Sequence, residues 1–176
     1  GTSMAAPHVT GAAALILASS CDFLGGFEPT GPQFYLNSGI EATSITGDPR
    51  LSDYGPFALA ITARASGAVE LYDTLPAGLL FRSSSNLTQH MLLLKDHPIT
   101  ASGSGAVTVL GSFCCNQRRV SPDRGDTFDL GPTTDDPELN QLVSLVRDKD
   151  ISDGAAMWMV QRAVYLVTDS TGLTQA

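Results

Sequence analysis

The chain has 176 residues, with 18 acidic against 10 basic side chains and a formal net charge of −8. An acidic surface of this kind argues against a nucleic-acid partner, because phosphate backbones are held by excess cation. Hydrophobic residues make up 43% and charged residues only 16%, which supplies a core and argues against wholesale disorder. The length suits one ordinary domain, or a small domain with a fragment of another. No apolar run reaches the ~18 residues of a membrane-spanning helix, so no transmembrane segment is expected. Low charge with plentiful Gly, Ser and Thr suits an extracellular or cell-surface location. The cysteines are Cys21, Cys114 and Cys115; they form neither a disulfide framework nor a zinc spacing. A ring between the adjacent pair would be strained, and either member could pair with Cys21.

In chain order, the first element is a predicted helix over residues 4–19, with Val9, Ala12, Ala13, Ile16 and Leu17 at helical spacing. Gly1, Thr2 and Ser3 stand just ahead of it. A serine on a tight turn that feeds a helix has an exposed hydroxyl beside unpaired N–H groups and the positive end of the helix dipole. Such N–H groups stabilise an oxyanion when the hydroxyl attacks a carbonyl. Pro7 falls in the first turn, where its missing N–H costs little. The plainer reading is a serine that only caps the helix.

Gly1, Thr2, Ser3, Met4, Ala5, Ala6, Pro7 and His8, followed by Gly11, resemble the nucleophile motif of the subtilisin-like serine peptidases. The resemblance covers residues 1–20. It implies that Ser3 is the acyl-enzyme nucleophile and that its own N–H belongs to the oxyanion hole. Gly1, Thr2, Met4, Ala5 and Pro7 would support the motif. In that family the base His, the orienting Asp and the oxyanion Asn precede the serine, and His8 is structural. The chain has no initiator Met and is therefore expected to be the C-terminal piece of a longer secreted endopeptidase, inactive alone, with a polypeptide substrate. No cofactor is identifiable in the sequence. Calcium is a property the family implies for the parent protein, with no ligands recognisable here.

Residues 21–50 are rich in Gly, Pro, Thr and Ser and are expected to be loop or linker. From residue 51 to 176 the rhythm belongs to a second module. Phe57, Leu59 and Ile61 alternate; Val69, Leu71 and Tyr72 begin another strand; Pro76–Ala77–Gly78 is a turn before Leu79–Phe81. Arg82–Asn86 reads as a polar loop, 89–94 and 97–101 as strands, Gly103–Ser104–Gly105 as a turn, and 106–113 as a last strand. Short strands at about ten-residue spacing predict an antiparallel β-sandwich. Asp135 or Asp136, then Pro137 and Glu138, open a helix with Leu139, Leu142, Val143 and Val146 as its apolar stripe. Residues 155–168 form a second helix, apolar nearly all round and expected to need cover on most sides. The fold class is therefore α+β: an N-terminal helix from a peptidase domain, then a β-sandwich closed by two C-terminal helices.

The run Pro76–Phe81, the Cys115–Asn116 pair ahead of Gly125–Phe128, and the closing Val160–Asp169 stretch together resemble bacterial extracellular β-rich modules. Gln161, Ala163, Val164 and Tyr165 resemble the closing-helix pattern of surface thioester domains, which implies an internal thioester between Cys115 and Gln161. The plain alternative makes Cys115 a small core residue and Gln161 a polar spot on a buried helix. His90, Asp96 and His97 lie close together, but no further ligand completes a metal site, so no metal is assigned. Arg118, Arg119 and Arg124 are expected to pair at the surface with Asp123 and Asp126. Asn86–Leu87–Thr88 is a glycosylation sequon if the chain is secreted by a eukaryote. The second function class is a non-catalytic extracellular binding or adhesive module, since most of the chain belongs to the second module.

Overall fold

A computed structural model describes residues 27–48 and 55–169. The nucleophile motif, its helix and Cys21 lie outside the described residues. The strands are β1 (Ile40–Asp48), β2 (Phe57–Ala65), β3 (Leu71–Leu75), β4 (Leu79–Ser83), β5 (His90–Leu92), β6 (His97–Ala101), β7 (Ala106–Cys115) and β8 (Phe128–Thr133). Two helices follow, α1 (Pro137–Val146) and α2 (Gly154–Thr168). The antiparallel, α+β character expected from the sequence is present. Six strands form one sheet in the order β1-β2-β7-β5-β4-β8, curled into a half-barrel, and β3 and β6 form a separate ribbon.

Side chains alternate across a strand, and here both faces are covered. Leu79, Phe81, Met91, Leu93 and Cys114 enter a first core, which the ribbon completes with Leu75, Ile99 and Ala101. Their sequence neighbours Leu80, Leu92, Leu94, Phe113 and Cys115 enter a second core, shared with Leu139, Leu142, Val143 and Val146 of α1 and Met157 and Val164 of α2. Continuous apolar runs such as Leu79–Phe81 and Met91–Leu94 are what a sheet buried on two faces requires.

The helix signals act as read. Asp136 caps α1, its Oδ1 accepting from the N–H of Glu138 at 2.9 Å and of Leu139 at 3.0 Å, with Pro137 in the first turn. Asp135 instead accepts from the Thr30 hydroxyl at 2.7 Å. Asp153 caps α2 through the Ala156 N–H. The expectation that α2 needs cover on most sides is corrected. Met157, Gln161, Val164 and Thr168 form one buried stripe, whereas Trp158 is 54% and Met159 67% exposed.

Three further readings change. Ile40–Asp48, expected to be linker, is a nine-residue strand paired along β2; its Glu, Thr, Ser and Gly content reflects an edge strand with one face in solvent. Arg82 and Ser83, expected in a loop, belong to β4. β8 was not expected, because Gly131 and Pro132 break the pattern; Pro132 is tolerated at the sheet edge, and a Cβ on Gly131 would stand 2.6 Å from the Leu80 carbonyl oxygen.

The two edges of the curled sheet meet at one isolated bridge, Thr46 with Thr127, where the Gly47 N–H donates to the Asp126 carbonyl at 3.0 Å. A Cβ on Gly47 would lie 2.3 Å from the Asp123 carbonyl oxygen. Gly47→Ala is expected to part this seam and destabilise the fold by roughly 1–3 kcal/mol, the usual cost of overpacking; urea unfolding measures it, and faster hydrogen exchange at residue 47 locates it.

Candidate functional site

β2 begins at Phe57, opposite Ser112 of β7, but β7 continues to Cys115. Beyond Ser112 the β2 side of β7 therefore lacks its neighbour, and buried backbone polar groups must find partners. α2 supplies them through side chains. Gln161, fully buried, accepts from the Cys114 N–H at 2.9 Å and donates Nε2–H to the Cys114 carbonyl at 2.8 Å. Thr168 Oγ1 accepts from the Asn116 N–H at 2.8 Å, and Asp169 Oδ1 from the Gln117 N–H at 2.9 Å. Residues 161 and 168 lie about two helical turns apart on one face, and Asp169 is the C-cap that follows, so one helix and its cap cover the strand end.

The sequence singled out Cys115 and Gln161 as a thioester pair. The structure brings β7 and α2 together, with Gln161 engaged on the backbone of Cys114. Cys114 and Cys115 are free and buried. Burial pushes both thiols up, and each has a further charge effect, from the Cys115 thiol on Cys114 and from Asp169 on Cys115. The thiolate is the reactive form, and burial disfavours it at both positions. A thioester would expel Nε2 as ammonia and leave the Cys114 carbonyl without its donor.

Around the turn after β7 lies a second polar group that sequence reasoning did not assemble. Asn116 has a positive φ of 65° and is 1% exposed. Its carbonyl accepts from Gln89 Nε2 at 2.7 Å, and its Oδ1 from the Arg118 N–H. Gln89 Oε1 in turn accepts from the Tyr165 hydroxyl. Burial, then the neighbouring Cys114, push Tyr165 up to about 12. The only sequence signal for this group is the abrupt change from Phe113–Cys115 to Asn116–Gln117.

His90, on β5, has a backbone donor at Nδ1 and the Arg119 guanidinium beside Nε2. The Ser83 N–H donates to Nδ1 at 3.0 Å, and Arg119 Nη1 lies 2.8 Å from Nε2. Both contacts oppose a second proton on the ring. Burial, then the Arg119 charge, lower His90 from 6.5 to about 4. Arg119 also pairs with Glu28 at 3.0 Å. The expected surface pairing of the arginines with Asp123 and Asp126 is thus corrected for Arg119, which turns inward. Arg118 and Arg124 engage only through backbone N–H groups, the latter on Asp123 Oδ1. Asp126 accepts from the Asp123 N–H at 2.8 Å and lies 3.5 Å from the Thr88 hydroxyl, which buries the last residue of the sequon.

The His90–Asp96–His97 neighbourhood does not come together. His97 sits on β6, lowered by burial. Asp96 is held low first by the Ala77 N–H and also by Arg147, with which it pairs. Among the described residues no three His, Cys, Asp or Glu side chains gather around a metal position. Ser3 and its supporting motif residues lie outside the described residues.

No family model, no curated protein and no solved structure matches this chain, so the junction is interpreted from its own geometry. Gln161→Ala strips two buried backbone groups of partners and is expected to cost about 2–6 kcal/mol in urea unfolding, at ~1–3 kcal/mol for each group left unsatisfied. Native protein is expected to leave Cys114 and Cys115 unlabelled by iodoacetamide until it unfolds, with an intact mass showing no loss of ammonia. His90 binds a proton more readily unfolded than folded, so its contribution to stability is complete above about 6.5 and is lost as pH falls towards 4. The melting temperature should therefore fall over that window, and less steeply in His90→Gln.

Proposed function

We propose that this chain carries the nucleophile segment of a subtilisin-like serine endopeptidase joined to a β-rich extracellular module. One observation supports the reading: the run Gly1–His8 with Gly11, in which Ser3 precedes an Ala-rich stretch whose spacing predicts a helix. Ser3 Oγ attacks a peptide carbonyl and passes its proton to an imidazole. N–H groups at the helix start hold the oxyanion, the leaving amine takes the proton, and water then releases the acyl group. The imidazole must be free to accept a proton near neutral pH. His90 is occupied at both nitrogens, His97 is desolvated, and His8 belongs to the motif. By the resemblance, the base and its carboxylate would be supplied by polypeptide other than these 176 residues.

Leu75, Ile99 and Ala101 of the β3–β6 ribbon share a core with residues of the large sheet, which supports reading the module as a small β-sandwich. A second reading, a non-catalytic binding or adhesive module, is favoured by a specific observation. Gln161, Thr168 and Asp169 are committed to backbone hydrogen bonds rather than aimed at a common point.

Labelling with a fluorophosphonate separates the two. The chain alone is expected to stay unlabelled and to leave casein intact. Joined to the Asp and His segments of a subtilisin-like peptidase, it should be labelled at Ser3, and Ser3→Ala should abolish this. Labelling of the chain alone would show that the base lies within it. No labelling of the joined protein would leave the module reading.

A further inference from the structure

Among the described residues the two edge strands of the curled sheet are bridged at one place, and a cleft lies beside the rest of the seam. β1 stands at the sheet edge and meets β8 at the Thr46–Thr127 bridge. Towards Ile40 no further bridge joins the two strands among the described residues. The segment before β1 takes up β8 instead: the Phe34 N–H donates to the Gly131 carbonyl at 3.3 Å, and Gln33 Nε2 to the Leu130 carbonyl at 2.8 Å. Between this segment, β8 and the outer edge of β1 lies a cleft of about 470 Å³. Its walls include Phe34, Tyr35, Ile40, Thr43, Asp129 and Leu130. Tyr35 is 78% exposed.

We propose that this cleft binds an extended polypeptide, which adds a strand to the outer edge of β1. A strand edge recognises another extended chain through alternating N–H and C=O groups, and adjacent pockets select alternate side chains. Phe34, Ile40 and Leu130 give the apolar positions. The charge of the occupant follows from the lining. Asp129 is the one charged side chain there, and the whole protein carries −8, so the favoured segment carries Lys or Arg beside its apolar residues. The β1 edge carries no inward-pointing lysine or proline of the kind that blocks edge pairing. The register shift between Ala42 and Ser44 bends the strand locally, which sets where an added strand must begin. The proposal is independent of Ser3 and holds whether or not the chain is part of a peptidase.

The test uses the full chain and a fluorescein-labelled peptide of alternating Lys and Val, followed by anisotropy. A control peptide carries Pro at its centre, where it cannot complete a ladder. Saturable binding at least tenfold tighter for the first peptide is expected, together with slowed hydrogen exchange of amides 40–45. Tyr35→Ala and Asp129→Lys, both at exposed positions, should each weaken binding severalfold while leaving the melting temperature within a few degrees. Equal binding of the two peptides, or protection confined to another part of the chain, overturns the proposal. So does sedimentation of the free protein as a dimer with amides 40–45 protected, because the edge would then belong to a second copy of the chain.

Discussion

The structure depends on how the end of β7 is satisfied. A buried strand cannot leave its N–H and C=O groups unpaired, and β7 outruns β2 after Ser112. Folds usually solve this with another strand. Here a helix does it, and the solution fixes a great deal at once. Gln161 must face the Cys114 backbone, so α2 has one permitted rotation about its axis. That rotation puts Met157 and Val164 into the second core and turns Trp158 and Met159 outward. The exposed apolar face of α2 thus follows from where its one buried amide has to go.

The same constraint explains which parts of the fold were legible in the sequence. α1 was legible down to a choice of two caps, Asp135 or Asp136, because Pro137 and the Leu139–Val146 stripe are local signals that need no partner. β6 and the body of β2 were legible from alternation. β8 was hidden, because Phe128–Thr133 has only partial apolar character and its Gly131 exists to let the Leu80 carbonyl approach. β1 was hidden for a related reason: an edge strand with polar residues on one face looks like a linker until its neighbour is known. Gln161 was singled out, but as a reactive group. Its spacing revealed that it mattered and could not reveal that its partner was backbone.

Electrostatics at the turn after β7 ties the N-terminal segment to this scheme. Arg119 has its side chain only 9% exposed, and a buried guanidinium needs an anion or several acceptors. It reaches Glu28, from the segment before β1, and takes a His90 nitrogen on the other side. The attraction to Glu28 partly opposes the lowering of His90 by burial and by Arg119 itself, and the lowering prevails because Glu28 is largely solvated while Arg119 is not.

This arrangement changes what the stretch before β1 can be. Phe27 packs against the second core, the Pro29 carbonyl accepts from Arg82 Nη2 at 3.3 Å, and Thr30 is held by Asp135. Each is a single modest contact. Together they fix consecutive positions of the chain on different elements, and ordering a residue already fixed by its neighbours costs little further entropy. A free linker would leave anything attached to it at an effective concentration set by linker length. Here the chain is gripped from Phe27 onward, so residues 27–48 belong to the β-rich body and not to the spacer that composition suggested.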